Sequence, residues 1–180
     1  MIAAVLVGCS KSGDKKKDDV SANNEQAANK PEDIAIVTTG GKNTRMDEKT
    51  RKALWDISWE SANLMMIDGQ QSGQMFKVKG TTYTEGAIAS TFSGDHAEAD
   101  KAANRLVIEG NVRVKSQKTA KTPETTMIAK KVEWLPDLKV FKASGDVIVE
   151  SEQAVIGPTN QLFVSAELDR IGTSQEYFKK

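Results

Sequence analysis

The chain has 180 residues, 28% of them charged and 38% hydrophobic, which is typical of one folded domain with a sizeable core. Its 25 basic residues balance 25 acidic ones. No net field therefore attracts a polyanion, and no basic stripe with interleaved aromatic residues is present, so we expect no nucleic acid among the partners. The chain has one histidine and one cysteine, so few side chains are available to form a catalytic site.

The cysteine, Cys9, follows an apolar segment at residues 1–7 and Gly8, and it precedes Ser10 and a charged tract. This order resembles a bacterial lipoprotein signal, in which the chain is cut before the cysteine and the cysteine is acylated. The resemblance implies a membrane anchor, which is stable when two or more acyl chains are attached. Residues 1–8 lack the basic residues of a complete secretory signal, so we expect them to be part of a longer one. The alternative is a buried cysteine after a short apolar strand.

The segment from residue 10 to about residue 52 is rich in Lys, Asp, Asn, Gln, Ala and Ser, a composition that predicts a flexible tether. Its apolar run, Ile34–Val37, allows a first strand that ends near Thr38. We therefore expect a lipid-modified Cys9 and tether over residues 9–52, a β-domain over residues 53–172 and a polar tail over residues 173–180.

The β-domain opens with strict alternation, which places Trp55, Ile57 and Trp59 on one face of a strand. Asp68-Gly69 then lies between two apolar segments, residues 64–67 and 74–78, and predicts a hairpin turn. The methionines of this hairpin have flexible thioether side chains, which either fill the core or line a lipid groove. They are Met65, Met66 and Met75.

One short motif occurs three times: apolar, any, apolar, any, Gly, small polar. The copies are Phe76–Thr81, Leu106–Asn111 and Phe141–Asp146. The alternation keeps its phase after the second and third glycines, which predicts long strands that bend at a glycine. We expect Gly80, Gly110 and Gly145 to lie on the inward face and to thin it at its centre. The alternative is that the glycines mark turns between shorter strands.

The last two copies belong to a longer repeat, because Ala97–Ser116 matches Val132–Ser151 at an offset of 35 residues (145 minus 110). The period of two predicts a pair of antiparallel strands in each repeat. Gly157-Pro158 precedes a final alternation that ends at Leu168. With about eleven or more short strands, neighbour-to-neighbour pairing and no convincing helix, the predicted fold class is all-β, a twisted antiparallel β-jelly roll or open sandwich of repeated strand pairs.

Several segments together resemble the LptC and OstA-like proteins of lipopolysaccharide export, and the resemblance covers roughly residues 50–172. They are Trp55–Trp59, Ser72–Met75, Val78–Gly80, Ala97–Asp100, Asn104–Val112, Val132–Trp134 and Gly145–Val147. The resemblance implies a periplasmic jelly roll whose sheets splay around a groove for acyl chains, without cofactor or catalytic residue. It also implies an inner-membrane permease at one sheet edge and a periplasmic carrier protein at the other. Typical LptC proteins have a transmembrane helix where this chain has Cys9.

These implications define two sets of candidate residues. The lipid-groove candidates are Trp55, Ile57, Trp59, Phe76, Val78, Leu106, Ile108, Val112, Val114, Phe141, Val147 and Val149. The candidates for an exposed edge strand that pairs with a partner are Leu162, Val164, Ala166 and Leu168.

Two functions follow from these predictions. The first is a membrane-anchored periplasmic protein that passes lipopolysaccharide or a related glycolipid along a β-groove without chemistry. The second is a structural or assembly lipoprotein that binds another envelope protein. His96, Glu98 and Asp100 alternate onto one strand face, so they either bind a metal ion or belong to a solvated outer face. We favour the outer face. An open groove distinguishes the first function, and a filled core favours the second.

Overall fold

The computed structural model describes residues 34–67, 70–100, 105–119 and 123–179. The predicted lipid-modified Cys9 and the part of the predicted tether that precedes residue 34 lie outside these residues. In the part that is described, the only helical element is a short 3₁₀ helix at Gln175–Phe178. No described helix is long and apolar enough to cross a membrane.

The strands form one antiparallel sheet in which each strand pairs with its neighbours along the chain. The nine described strands are β1 (Ile34–Met46), β2 (Ala53–Ile67), β3 (Gln70–Thr84), β4 (Ala87–Asp100), β5 (Arg105–Ser116), β6 (Thr125–Leu135), β7 (Val140–Ser151), β8 (Val155–Ser165) and β9 (Ile171–Gly172). This order confirms the predicted all-β fold class. The predicted number of strands was too high, because β2 to β8 run for 11 to 15 residues without interruption.

The 35-residue repeat corresponds to two successive hairpins. Ala99 pairs with Leu106 in the hairpin of β4 and β5, and Trp134 pairs with Phe141 in the hairpin of β6 and β7. The repeat is therefore a pair of antiparallel strands, as predicted from its period of two.

The sheet curls over a single main interior. Its inner face carries side chains that are 0% exposed on five different strands: Ile57, Val112, Val132, Val147 and Val164. A flat single sheet would leave this face in water, so the sheet must cover its own inner face. No pairing joins β1 to β9 among the described residues, so the curled sheet stays open, consistent with an open β-jelly-roll sandwich.

A line of bulges crosses the sheet and bends the strands. Positive φ angles occur there at Gly40 (+74°), Lys77 (+53°), Gly110 (+77°) and Gly145 (+78°). The register shifts at the same level, between Glu109 and Val112 and between Ser144 and Val147. Bulges bend a strand and increase its twist. The motif glycines of β5 and β7 therefore mark bends within long strands, as the preserved alternation predicts.

The small polar residue after each of these two glycines has its own backbone role. Asn111 and Asp146 have φ angles of +48° and +49°, in the left-handed region that Asn and Asp tolerate better than most residues. Asn111 also donates a hydrogen bond to Asp95 over 2.7 Å, and Asp146 forms an ion pair with Lys130 at 2.7 Å. The Gly-Asn and Gly-Asp pairs are thus bulge sequences.

The prediction that the three motif glycines thin the inward face is wrong. A Cβ atom at Gly110 would lie 2.7 Å from the Asp95 carboxylate, and one at Gly145 would lie 2.9 Å from Lys130 Cβ. Both neighbours are polar side chains that reach solvent. Gly80 does face the interior, but the space is filled, because a Cβ atom there would lie 2.2 Å from Phe92 Cζ.

The assignment of Phe76 to the inward face is also wrong. Phe76 is half-buried and pairs with Ser61 and His96, whereas its neighbour Met75 is buried in the core. The alternation of β3 changes phase at Lys77, whose φ angle is +53°, so Met75 and Val78 share the inner face. A strict period of two cannot show such a change.

The prediction that Leu162, Val164, Ala166 and Leu168 form an exposed edge strand is wrong. Val164 pairs with Phe141 of β7 on one side and with Ile171 of β9 on the other, so it has no free edge. The four edge candidates are all buried, with exposed fractions of 0 to 4%. Within the described part of the chain, the unpaired edge is the first part of β8, where Val155 and Ile156 are exposed.

The ordered domain extends beyond the predicted boundaries at both ends. β1 continues to Met46, past the five residues allowed for a first strand and into the predicted tether. At the other end Phe178, in the predicted polar tail, is buried against Val140 and Phe163. The Arg170 guanidinium lies 5.3 Å from the centre of the Phe178 ring and adds a cation–π contact.

Candidate functional site

A cavity of about 510 Å³ lies along β2, between the β1–β2 turn and the adjoining parts of β3 and β4. We call the apolar side chains that β2, β3 and β4 contribute the apolar wall: Trp55, Trp59, Leu64, Met75 and Ala99. The polar wall comes from the end of β1 and the turn that follows it: Asn43, Arg45, Asp47, Glu48 and Arg51. The cavity is therefore amphipathic.

Two glycines shape the apolar wall. Gly41 pairs with Trp59, and a Cβ atom at Gly41 would lie 2.4 Å from the indole ring, so the ring lies directly over β1. The indole N–H donates to Thr38 Oγ1 over 3.2 Å and fixes this orientation. Gly73 receives Leu64 in the same way, because a Cβ atom at Gly73 would lie 2.5 Å from Leu64 Cδ2. Large side chains thus lie flat against neighbouring strands, which leaves space above them.

The polar wall is held by a tight turn built around Asp47. The Asp47 carboxylate accepts hydrogen bonds from the backbone N–H groups of Thr50 (2.6 Å) and Lys49 (3.0 Å) and from the Thr50 hydroxyl (2.9 Å). These bonds, chiefly that from the Thr50 backbone, lower the pKa of Asp47. The Asp47 carboxylate therefore stabilises the turn through these hydrogen bonds.

Two donors beside the cavity have no hydrogen-bond acceptor among the described residues. They are Nε of Arg45 and Nε1 of Trp55. The two residues are direct partners in the β1–β2 register, so their side chains leave the same face of the sheet. The Arg45 Nη2 atom donates to a Glu48 carboxylate oxygen at 3.4 Å.

The structure separates the predicted lipid-groove residues into three groups. Trp55 and Trp59 line the cavity, and Phe76 lies on the opposite face. The remaining nine are 0 to 3% exposed and pack in the main core: Ile57, Val78, Leu106, Ile108, Val112, Val114, Phe141, Val147 and Val149. These nine residues do not line the cavity along β2, and a smaller cavity of about 230 Å³ lies beside the β7–β8 turn, where Val149 contributes to its lining.

Sequence reasoning missed the polar wall because its residues lie in the segment predicted to be a tether. A signal was present at Asp47 and Thr50, since an Asp that precedes polar residues by two and three positions is typical of a side-chain-capped turn. It also missed Gly41 and Gly73, whose effect depends on the residues opposite them. Met75, proposed for either core or groove, packs in the core and lines the cavity.

On the outer face, two of the three residues considered for a metal site, His96 and Glu98, have protein partners. His96 Nε2 lies 3.1 Å from a carboxylate oxygen of Glu109, and Glu98 accepts a hydrogen bond of 2.9 Å from Gln74. Lys131 also pairs with Glu109, at 2.6 Å. The Lys131 hydrogen bond, followed by that of His96, lowers the pKa of the Glu109 carboxyl.

A row of cations crosses the outer face. Lys42, Lys79 and Arg113 lie in one register line on β1, β3 and β5, with Ser58 and Ser93 between them. Neighbouring strands are about 4.8 Å apart, so successive cations are about 10 Å apart along the row. This row is absent as a sequence motif and arises from strand pairing alone.

The curled antiparallel sheet with its amphipathic cavity is consistent with the open β-jelly-roll class. The family model described as "Lipopolysaccharide-assembly, LptC-related" matches residues 1–160, and the chain belongs to this family. The family places the protein in lipopolysaccharide transport in the Gram-negative cell envelope, together with partner proteins. The match includes every residue that lines the cavity. A comparison with curated proteins gives no match.

Proposed function

We propose that this protein holds lipopolysaccharide, or a related glycolipid, in the cavity along β2 during transport to the outer membrane, without chemistry. The observation that carries the proposal is the amphipathic cavity itself. Its volume of about 510 Å³ lies within the range of about 300–1,000 Å³ found for small-molecule sites. Each methylene buried against the apolar wall contributes about 0.8 kcal/mol.

The buried core limits where the lipid is held. Ile108, Val112 and Val147 are at most 1% exposed and do not line the cavity. We therefore place part of the lipid at the β1–β4 end, against Trp59 and Leu64, instead of along the whole interior.

Photocrosslinking in cells tests this placement. A photoreactive residue at Leu64 or Ala99, both on the apolar wall, is expected to label lipopolysaccharide. The same probe at Arg113, an exposed position on the outer face, is the control and is expected to give none. Equal labelling at Leu64 and Arg113, or no labelling at either wall position, would contradict the proposal.

A second function, binding of another envelope protein by strand pairing, is favoured by the two free edges of the sheet. Among the described strands, β1 is one edge along its whole length, with Val37 77% exposed, and the first part of β8 is the other, with Val155 65% exposed. Free edges accept a further strand through their backbone groups. We propose the export permease and the periplasmic carrier protein as the partners, and both functions can coexist.

For localisation we propose a periplasmic lipoprotein held to a membrane by acyl chains on Cys9. The proposal rests on the sequence around Cys9, which lies outside the described residues. The mature wild-type protein is expected to carry the mass of the acyl chains and to sediment with membranes, and Cys9→Ala is expected to lose both properties. A wild-type protein found only in the soluble fraction would exclude the anchor.

A further inference from the structure

We propose that Arg45, together with the indole N–H of Trp55, makes the cavity selective for acyl lipids that carry a phosphate group. This inference rests on the proposed function, because it assigns the head-group chemistry of the lipid that the cavity holds. The phosphate oxygens are the acceptors that these two donors lack in the described part of the protein.

The first step of the argument is the state of Arg45. Its side chain is 24% exposed, and its Nε is buried without an acceptor in the described part of the chain. Its one close anion among the described residues, Glu48, lies 3.4 Å away and is itself 83% exposed, so the pair is long and largely solvated. Such surface pairs contribute little. The guanidinium is thus available to a stronger acceptor.

The second step is the neighbouring donor. Trp55 is 5% exposed and its Nε1 has no acceptor among the described residues, although buried donors in native structures are almost always paired. Arg45 and Trp55 are cross-strand partners, so their Cα atoms lie about 5 Å apart. Two unpaired donors from adjacent strands, beside one cavity, indicate a ligand with several acceptor oxygens.

The third step is charge. The segment from residue 45 to residue 52 contains four cations and two acids, namely Arg45, Lys49, Arg51 and Lys52 against Asp47 and Glu48. The segment therefore has a net positive charge, and its two arginines line the cavity together with Asp47 and Glu48. Arginine binds phosphate through two parallel hydrogen bonds, which favours a phosphate over a neutral acceptor.

The fourth step is the apolar wall, which identifies the source of the phosphate. Trp59, Leu64, Met75 and Ala99 continue the cavity away from Arg45 along β2 and across to β3 and β4. A free phosphate ion would leave these side chains uncovered, whereas a phosphorylated acyl lipid covers them. The walls together fit an anionic head next to an apolar chain.

The test compares two lipids on the full chain: bisphosphorylated hexa-acyl lipid A and the same lipid after removal of both phosphates. We expect the wild type to prefer the phosphorylated lipid by about tenfold, which corresponds to one charge-assisted hydrogen-bonded contact. Arg45→Gln is expected to reduce this preference to about twofold or less, while its affinity for the dephosphorylated lipid stays that of the wild type. Arg113→Gln removes the same charge from the outer face and is expected to keep the wild-type preference.

Two further variants keep the test decisive if Arg45→Gln folds poorly. Arg45→Lys retains the charge without the planar fork and is expected to restore part of the preference. Glu48→Gln removes the competing anion and is expected to strengthen binding of the phosphorylated lipid by about two- to threefold. Weaker binding in Glu48→Gln, or equal losses in Arg45→Gln and Arg113→Gln, would overturn the assignment.

The remaining outcomes separate this inference from the function on which it rests. Equal wild-type affinity for both lipids would overturn phosphate selectivity and leave the lipid-holding function intact. Binding of neither lipid would overturn the proposed function. Displacement of the lipid by inorganic phosphate alone would identify a free-anion site, and displacement by an unphosphorylated fatty acid would identify a carboxylate site. Either displacement would overturn the assignment to a phosphorylated lipid.

Discussion

Glu109 connects three strands through a single carboxylate on the outer face of the sheet. It lies on β5, its Oε2 contacts His96 of β4 at 3.1 Å, and its Oε1 contacts Lys131 of β6 at 2.6 Å. Lys131, then His96, lowers the pKa of this carboxyl below its ordinary value of 4.5. A carboxylate with a depressed pKa stabilises the fold above the unfolded-state pKa, and this contribution is lost as the pH falls through the folded-state pKa.

We therefore expect the free energy of unfolding to decrease as the pH is lowered below about 4.5, and Glu109→Gln to flatten this decrease. The measurement is urea unfolding at a series of pH values. Lys131→Met removes the largest cause of the shift and is expected to flatten the same range. A decrease that stays as steep in both variants would show that other carboxyl groups account for it.

At the scale of the strand, the bulge is the feature that the glycine motif encodes. Gly110 has a φ angle of +77°, and a Cβ atom there would approach the Asp95 side chain. The bulge lets β5 bend while Ile108 and Val112 stay on the inner face. Its neighbour β6 compensates by a change of phase, because Ala129 and Val132 are both buried.

Gly110→Ala is expected to destabilise the protein by about 1–2 kcal/mol, because a left-handed backbone costs an ordinary residue about that much. Denaturant unfolding measures the loss. Asp146→Gly, at the φ angle of +49° in the matching bulge of β7, is the control. It relieves left-handed strain and removes only an exposed ion pair with Lys130, so we expect a change within about 0.5 kcal/mol. A larger loss at Asp146 than at Gly110 would contradict this account of the bulges.

At the scale of the whole molecule, the described strands form an open sheet with an edge at each end of the strand order. β1 presents Ile36 and Val37 at one end of the order, and β8 presents Val155 and Ile156 at the other. Exposed apolar residues on an edge favour the addition of a strand, and a charged residue there opposes it. The fold can therefore be extended at both ends without any change to its interior.

Val37→Lys and Val155→Lys are each expected to weaken one partner complex by about tenfold, because an edge lysine hinders strand addition without disturbing the core. Pull-down from cells with the export permease and with the periplasmic carrier measures the two complexes separately. Lys79→Ala, on the outer face, is the control and is expected to leave both intact. Loss of the same partner with both edge variants would argue against separate edges.

The amino-acid sequence by itself determined the all-β fold class, the neighbour-to-neighbour pairing and the inner face of β5 and β7. Alternation such as that of Leu106, Ile108, Val112 and Val114 is a local property, and neighbour-to-neighbour pairing needs only short turns. The same alternation placed Trp55 and Trp59 on one face, and both line the cavity.

Only the tertiary structure decided which inward-facing residues pack in the main core and which line the cavity along β2. The face on which Gly110, Gly145 and Phe76 lie changes at bulges, and a bulge follows from the register with the neighbouring strand, which the residue pattern does not report. The pairing of Arg45 with Trp55 depends in the same way on the β1–β2 register. So does the cationic row of Lys42, Lys79 and Arg113, because residues more than 30 positions apart become neighbours only when the strands between them pair.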